Sequence, residues 1–190
     1  MTEKEIIIGC IKNNRECQRA FVDTYSKYMF GVCRRYFHDT NLAKDCLQDA
    51  LVKVLTNINQ FQEQNFKAWI AKITVRECLQ TIRKNKKHIF FEIGSISEPF
   101  RNENVSFQME QMDILAFLDL LPDACRIAIN MYIIEGYSHE EIAETLGIAI
   151  GTSRSLVSRG RQKIKKHFEL EQLRVIHRNK KKQISKYKNR

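Results

Sequence analysis

Proline occurs twice and glycine seven times in 190 residues, and strand-like alternation of apolar and polar residues is scarce. Proline and glycine are the strongest helix interrupters, and alternation is the mark of a half-buried strand. Their shortage predicts an all-α chain. Long apolar runs are missing too, since none approaches the roughly 20 residues that span a bilayer. The start Met1-Thr2-Glu3-Lys4-Glu5 is charged, and Ile6-Ile7-Ile8 is too short for a secretory core. A cytoplasmic location is therefore expected. Catalytic patterns are absent as well: there is no Walker loop and no nucleophile–base pair. His38, His88, His139, His167 and His177 are scattered without partners. No enzymatic activity, catalytic residue, cofactor or small-molecule substrate is expected. The six cysteines (Cys10, Cys17, Cys33, Cys46, Cys78, Cys125) form no Cys-x-x-Cys pair and have no histidine at zinc spacing. They read as small reduced core residues, with no metal site expected.

What is present is helical periodicity and positive charge. Hydrophobic residues make up 43%, enough for real cores, and the net charge of +10 points to a polyanionic partner. A short helix is expected over 2–11, broken by Asn13-Asn14, with Asn14 able to cap a second helix that runs to about Phe37. Thr40 is a good cap for a third, whose apolar face is Ala43, Cys46, Leu47, Ala50, Leu51, Val54, Leu55 and Ile58. A polar loop over 57–65 contains Phe61. A fourth helix spans about Phe66 to Asn85, burying Phe66, Trp69, Ile70, Ile73, Cys78, Leu79 and Ile82. Residues 88–108 carry loop chemistry and read as a linker. Helical pattern resumes at Met109, and Pro122 is suited to the first position of a new helix. The division expected is 1–87, linker 88–108, a second unit 109–172 and a basic tail 173–190. The tail has no acidic residue after position 173 and reads as solvated and partly disordered, able to add sequence-blind affinity for DNA.

The most specific stretch is Ser138-His139-Glu140-Glu141-Ile142-Ala143-Glu144-Thr145-Leu146-Gly147. Ser138 with Glu141 three residues on is a capping box, and Gly147 supplies a left-handed helix end. A second helix follows, with Ser153, Val157, Gly160 and Ile164 on its inner face and Arg154, Ser155 and Ser158 on its outer one. A short helix, a glycine turn and a helix with a cationic face describe a helix-turn-helix that seats its second helix in the major groove. The fold expected is thus two small helical bundles joined by a linker, the second containing a helix-turn-helix.

These modules together resemble the small two-domain bacterial sigma factors of the extracytoplasmic-function (ECF) type, in the sigma-70 family. The resemblance covers roughly residues 15–87 and 110–168. It rests on Asn41–Val54, which is similar to the family's polymerase-clamp helix, and on Phe66-Lys67-Ala68-Trp69-Ile70-Ala71-Lys72-Ile73, which is similar to the start of its promoter-reading helix. Leu121-Pro122 and Glu135–Ala143 complete it. The resemblance implies a subunit that binds core RNA polymerase and directs promoter-specific initiation. The first domain would read and melt the −10 element, and the helix-turn-helix would read the −35 element. An anti-sigma factor, often membrane-anchored, is implied as antagonist.

The residues suit those tasks. Asp45, Gln48 and Asp49 form a polar strip for the polymerase clamp. Phe61 offers an aromatic surface for a flipped base, while Lys72, Arg76, Arg83 and Lys84 follow the phosphate backbone. Arg154, Ser155 and Ser158 are placed for base edges, and Thr152, Arg159 and Lys163 for phosphates. The chain departs from the family at Arg76, where asparagine is common, and at Gln80, where aspartate is. Ala149 replaces a common serine cap, and Leu156 stands where a cation is frequent. Two other readings stay open at this point. One is a sigma-mimicking protein that binds an anti-sigma factor and never reads DNA. The other is a stand-alone helix-turn-helix regulator, which leaves the acidic strip unexplained.

Overall fold

The computed structural model describes residues 1–62, 65–84 and 114–188, with side chains to residue 170. The linker expected over 88–108, and the resumption of helix at Met109, lie outside the described residues. Within them every regular element is helical. Helix α1 (Glu3–Ile11) opens on a capping box: Thr2 N–H donates to Glu5 Oε2 (2.7 Å) and Glu5 N–H to Thr2 Oγ1 (3.3 Å). Helix α2 (Arg15–Tyr36) is capped by Asn14, whose Oδ1 accepts from the Glu16 and Cys17 amides. Helix α3 (Thr40–Asn57) is capped by Asp39, one residue before the threonine expected from sequence. Aspartate and threonine are both good caps, and local sequence does not decide between neighbours. After a 3-10 turn (Ile58–Gln60), helix α4 runs Phe66–Lys84.

Helices α1 to α4 enclose one core. Phe21, Met29, Ala50, Val54, Phe66 and Ile70 are fully enclosed in it. Phe61 sits edge-on to Phe66 (ring centroids 5.0 Å) and to Trp69 (5.5 Å), which ties the end of the 3-10 turn to the bundle.

The second unit contains α5 (Ile114–Leu118), α6 (Asp123–Ile129), a π turn (Asn130–Ile134), α7 (His139–Leu146) and α8 (Ile150–Lys188). Pro122 is the N-cap of α6, not its first helical residue. Ser138 and Glu141 close the capping box of α7, and Gly147 ends it at φ 60°, where a side chain would be strained. Helix α8 passes without a break into the tail expected to be irregular. After Gly160 it holds no proline or glycine and is rich in Lys, Arg, Gln, Glu and Leu, all good helix formers. Leu118, Leu121, Cys125, Ala128, Ile129, Leu156 and Val157 form the core between α6 and α8.

Gly160 is where α8 passes closest to α6. A Cβ there would collide with Ile129 Cδ1 and stand 3.0 Å from its Cγ1 and 3.5 Å from Cys125 Cβ. Gly160→Val is expected to destabilise the second unit by about 1–3 kcal/mol through overpacking. The check is thermal denaturation. A melting temperature equal to the wild type's would show that the two helices can separate freely.

The two units share a third core. Val32, Cys33, Tyr36, Cys46, Cys78, Leu79 and Ile82 from the first pack with Ile127, Met131, Ile142 and Leu146 from the second. Sequence alone left the relative placement of the two units open.

Candidate functional site

Helix α3 buries Ala43, Cys46, Ala50 and Val54 and turns the opposite side to solvent. Asp45, Gln48 and Asp49 are all exposed there, as expected. Val52, one turn further, is 62% exposed and extends the strip with an apolar residue that sequence reading assigned to nothing. At spacings of three, four and seven residues these side chains line one helix face.

Helix α4 buries Trp69, Ile70, Ile73, Cys78, Leu79 and Ile82 and exposes Lys72, Arg76, Arg83 and Lys84. Lys72, Arg76 and Arg83 fall on one side of the helix at its period of about 3.6 residues, while the Lys67 ammonium lies 4.5 Å from the centroid of the Tyr28 ring. Arg83 is not free for phosphate in this arrangement: its Nε donates to the carbonyl of Thr145 at 2.6 Å. Phe61 is half-buried in the aromatic cluster rather than projecting from a loop, so only its outer edge can meet a base.

In the helix-turn-helix, His139 ties α7 to α8. Its Nδ1 is 3.0 Å from Ser153 Oγ, and its ring stacks on Tyr132 at 4.4 Å. Burial, with the nearby Arg154 and Arg161, pulls the His139 pKa below its ordinary value despite Glu140, so the neutral ring is favoured in this joint. Arg154 is exposed and lies 3.6 Å from Glu140. Ser155 donates its hydroxyl proton to the Thr152 carbonyl (2.8 Å) and accepts from Arg159 Nη2 (3.1 Å). Thr152, Ser155, Ser158 and Arg159 are half-buried, whereas Lys163 is exposed. Of the residues expected at base edges, Arg154 is the one that stands clear of the helix. Leu156, which stands where the family often has a cation, is 1% exposed and belongs to the core. It continues the stripe Ser153, Leu156, Val157, Gly160, whose spacing is that of a buried helix face.

The seam between the units holds the residues that sequence reading missed. Arg126 is buried with 0% exposure. Its Nη1 reaches Asp119 Oδ1 at 2.6 Å and His38 Nδ1 at 3.0 Å, its Nε donates to the Arg35 carbonyl at 3.0 Å, and its Nη2 donates to the Arg34 carbonyl. Those carbonyls belong to the last turn of α2, where a helix lacks internal donors and carries partial negative charge. Arg126 is thus a C-terminal cap supplied by the other unit. Arg35 answers from α2, donating to Asn130 Oδ1 (3.2 Å) and Glu135 Oε1 (2.7 Å) beside the π turn. His38 Nε2 is 2.9 Å from the Leu121 carbonyl. An arginine in an apolar helix pattern gives no local sign of partners some 90 residues away.

The cysteines differ from expectation in one respect. Cys33, Cys46 and Cys78, from α2, α3 and α4, meet at one point, with all three sulfurs within 4.8 Å of one another.

The two helical units also match known proteins. Residues 21–88 match the family model of sigma-70 region 2, and residues 111–164 that of sigma-70 region 4. The ECF RNA polymerase sigma factor EcfG of Rhodopseudomonas palustris is 31% identical over 124 residues, covering 64% of this chain and 68% of that protein. SigM of Bacillus subtilis is 25% identical over 149 residues, covering 75% of this chain and 91% of SigM. SigE of Mycolicibacterium smegmatis is 29% identical over 135 residues, and the match spans 66% of this chain and about half (51%) of SigE. Region 2 falls on the unit with the acidic strip and region 4 on the unit with the helix-turn-helix, so the fold and the comparisons agree segment by segment. The chain belongs to the sigma-70 family and is an RNA polymerase sigma factor of the ECF type, a subunit that directs promoter-specific initiation of transcription.

Proposed function

We propose that residues 1–87 bind core polymerase through Asp45, Gln48 and Asp49 and engage the −10 element with α4, and that residues 109–172 read the −35 element with the start of α8. The observation that carries this reading is the exposed acidic strip on α3, backed by a wholly buried opposite face. A stand-alone regulator has no use for it, because DNA repels carboxylates. Lys72, Arg76 and Lys84 give the first unit a phosphate-following edge, with Arg83 joining them once it leaves Thr145. In the second unit Arg154 meets base edges, while Thr152, Arg159 and Lys163 hold phosphates and Ser155 and Ser158 line the approach.

The protein has no catalytic activity of its own in this reading and works in the cytoplasm. No helix among the described residues is long and apolar enough to cross a membrane. An anti-sigma factor is its expected antagonist. The retained cations on α4 and α8 speak against a mimic that only binds such a factor.

Arg154→Ala tests the promoter assignment. Its ion pair with Glu140 is exposed and of little worth to the fold. A lost base contact is worth about 1–3 kcal/mol, so promoter-specific transcripts are expected to fall about 10- to 100-fold with core association unchanged. Undiminished transcripts in a run-off assay would remove Arg154 from the reading surface.

A further inference from the structure

We propose that Cys33, Cys46 and Cys78 form a binding site for one thiophilic closed-shell metal ion, held by three sulfurs where α2, α3 and α4 meet. The geometry carries it. Cys46 Sγ and Cys78 Sγ are 3.5 Å apart, and no pair in the trio exceeds 4.8 Å. Metal–sulfur bonds of about 2.3 Å require sulfurs about 3.8–4.0 Å apart in tetrahedral or trigonal arrangements. The trio brackets that spacing, so an ion fits with small side-chain adjustments and no movement of helices. All three cysteines are buried.

One hydroxyl supplies an independent reason. Tyr36 lies one turn from Cys33 on α2, in the same apolar cluster as all three cysteines; it is 1% exposed, yet its Oη has no hydrogen-bond partner. An orphaned buried donor is costly, and a metal-bound thiolate in that cluster is the kind of acceptor it lacks. Ligation releases thiol protons to buffer as the metal–sulfur bonds form, and nothing is oxidised or reduced.

Three sulfurs complete the coordination of a trigonal Cu(I) ion, whereas Zn(II) asks for a fourth ligand. Both offer the same soft, closed-shell chemistry. The apolar cluster that holds the three cysteines also contains Ile127, Met131, Ile142 and Leu146 of the second unit. The proposal is independent of how the promoter is read.

The test uses the full chain, reduced and stripped of metal under anaerobic conditions. It is titrated separately with Cu(I) and with Zn(II) against a chromophoric competitor. One equivalent bound, a sulfur-to-metal charge-transfer band for Cu(I), and a raised melting temperature are expected for at least one ion, which identifies it. Cys33→Ser, Cys46→Ser and Cys78→Ser are each expected to weaken binding at least about tenfold, while Cys10→Ser and Cys125→Ser keep it. If a cluster variant fails to fold, sulfur coordination numbers from X-ray absorption on the wild type decide. Three sulfurs support the site, and one or none overturns it. Binding of neither ion, or binding that survives loss of Cys46 in a folded variant, overturns it as well.

Discussion

Asp45→Lys combined with Asp49→Lys is expected to abolish association with core RNA polymerase while leaving the melting temperature within a degree or two of the wild type's. Both side chains are exposed, and neither forms part of the α3 face that packs on α2 and α4. Exposed substitutions away from caps and cores change stability by about half a kcal/mol at most. At an interface the same change is severe. Close charge pairs across protein interfaces couple by about 1.5–7 kcal/mol, and reversal adds repulsion to the loss. Two reversals should weaken binding at least about 100-fold. Co-purification or fluorescence anisotropy with labelled core enzyme measures it. Val52→Asp should add to the defect, because the exposed valine extends the same face. A folded double variant that still binds core at wild-type strength would move the docking surface elsewhere.

Arg126→Ala is expected to part the two units. The wild-type guanidinium crosses the seam to two carbonyls at the end of α2 and to His38, and is itself held by Asp119 of its own unit. Removing one partner of a buried ion pair costs about 3–5 kcal/mol. The figure here is smaller, since Asp119 is 43% exposed, but even about 2.8 kcal/mol changes the closed-to-open ratio 100-fold. The variant should show a larger radius of gyration in small-angle scattering, with helix content retained because each unit keeps its own core. Unchanged dimensions would mean that the shared apolar core alone holds the units together.

Acid should loosen the same seam. Burial favours the neutral form of Asp119, but Arg126, Arg34 and His38 outweigh it and hold the carboxyl below its ordinary value of 3.8. A depressed carboxyl contributes stability that is present above its unfolded pKa and is lost as pH falls through the folded one. The contribution is thus intact at neutral pH and disappears below about pH 4. In this closed form Arg83 is tied to the Thr145 carbonyl across the seam.

Local signals carried most of the architecture. Ser138, Glu141 and Gly147 mark the start and end of α7 through contacts within three or four residues, and the structure reproduces each of them. Asp39 and Thr40 show the limit of such signals, since adjacent good caps compete and only the approach of the chain decides. Leu156 is a different case. It stands where the family often carries a cation, yet it lies three residues from Ser153 and four from Gly160, the spacing of a buried helix face, and it is buried. The break in α6 at the π turn, the burial of Arg126 and the meeting of Cys33, Cys46 and Cys78 had no local signature. Each depends on elements that are distant in sequence and adjacent in space. The acidic strip is visible from sequence as an exposed helix face, but what it touches is a property of the partner.

Run-off transcription with bacterial core enzyme on a pool of genomic fragments, with and without the protein, reads out directly whether this chain gives core polymerase its promoter specificity. Discrete start sites are expected that appear only when the protein is added, share upstream sequence elements and vanish with the Asp45→Lys, Asp49→Lys double variant. A pattern of transcripts that is the same with and without the protein, under conditions where the protein is folded, would contradict that role.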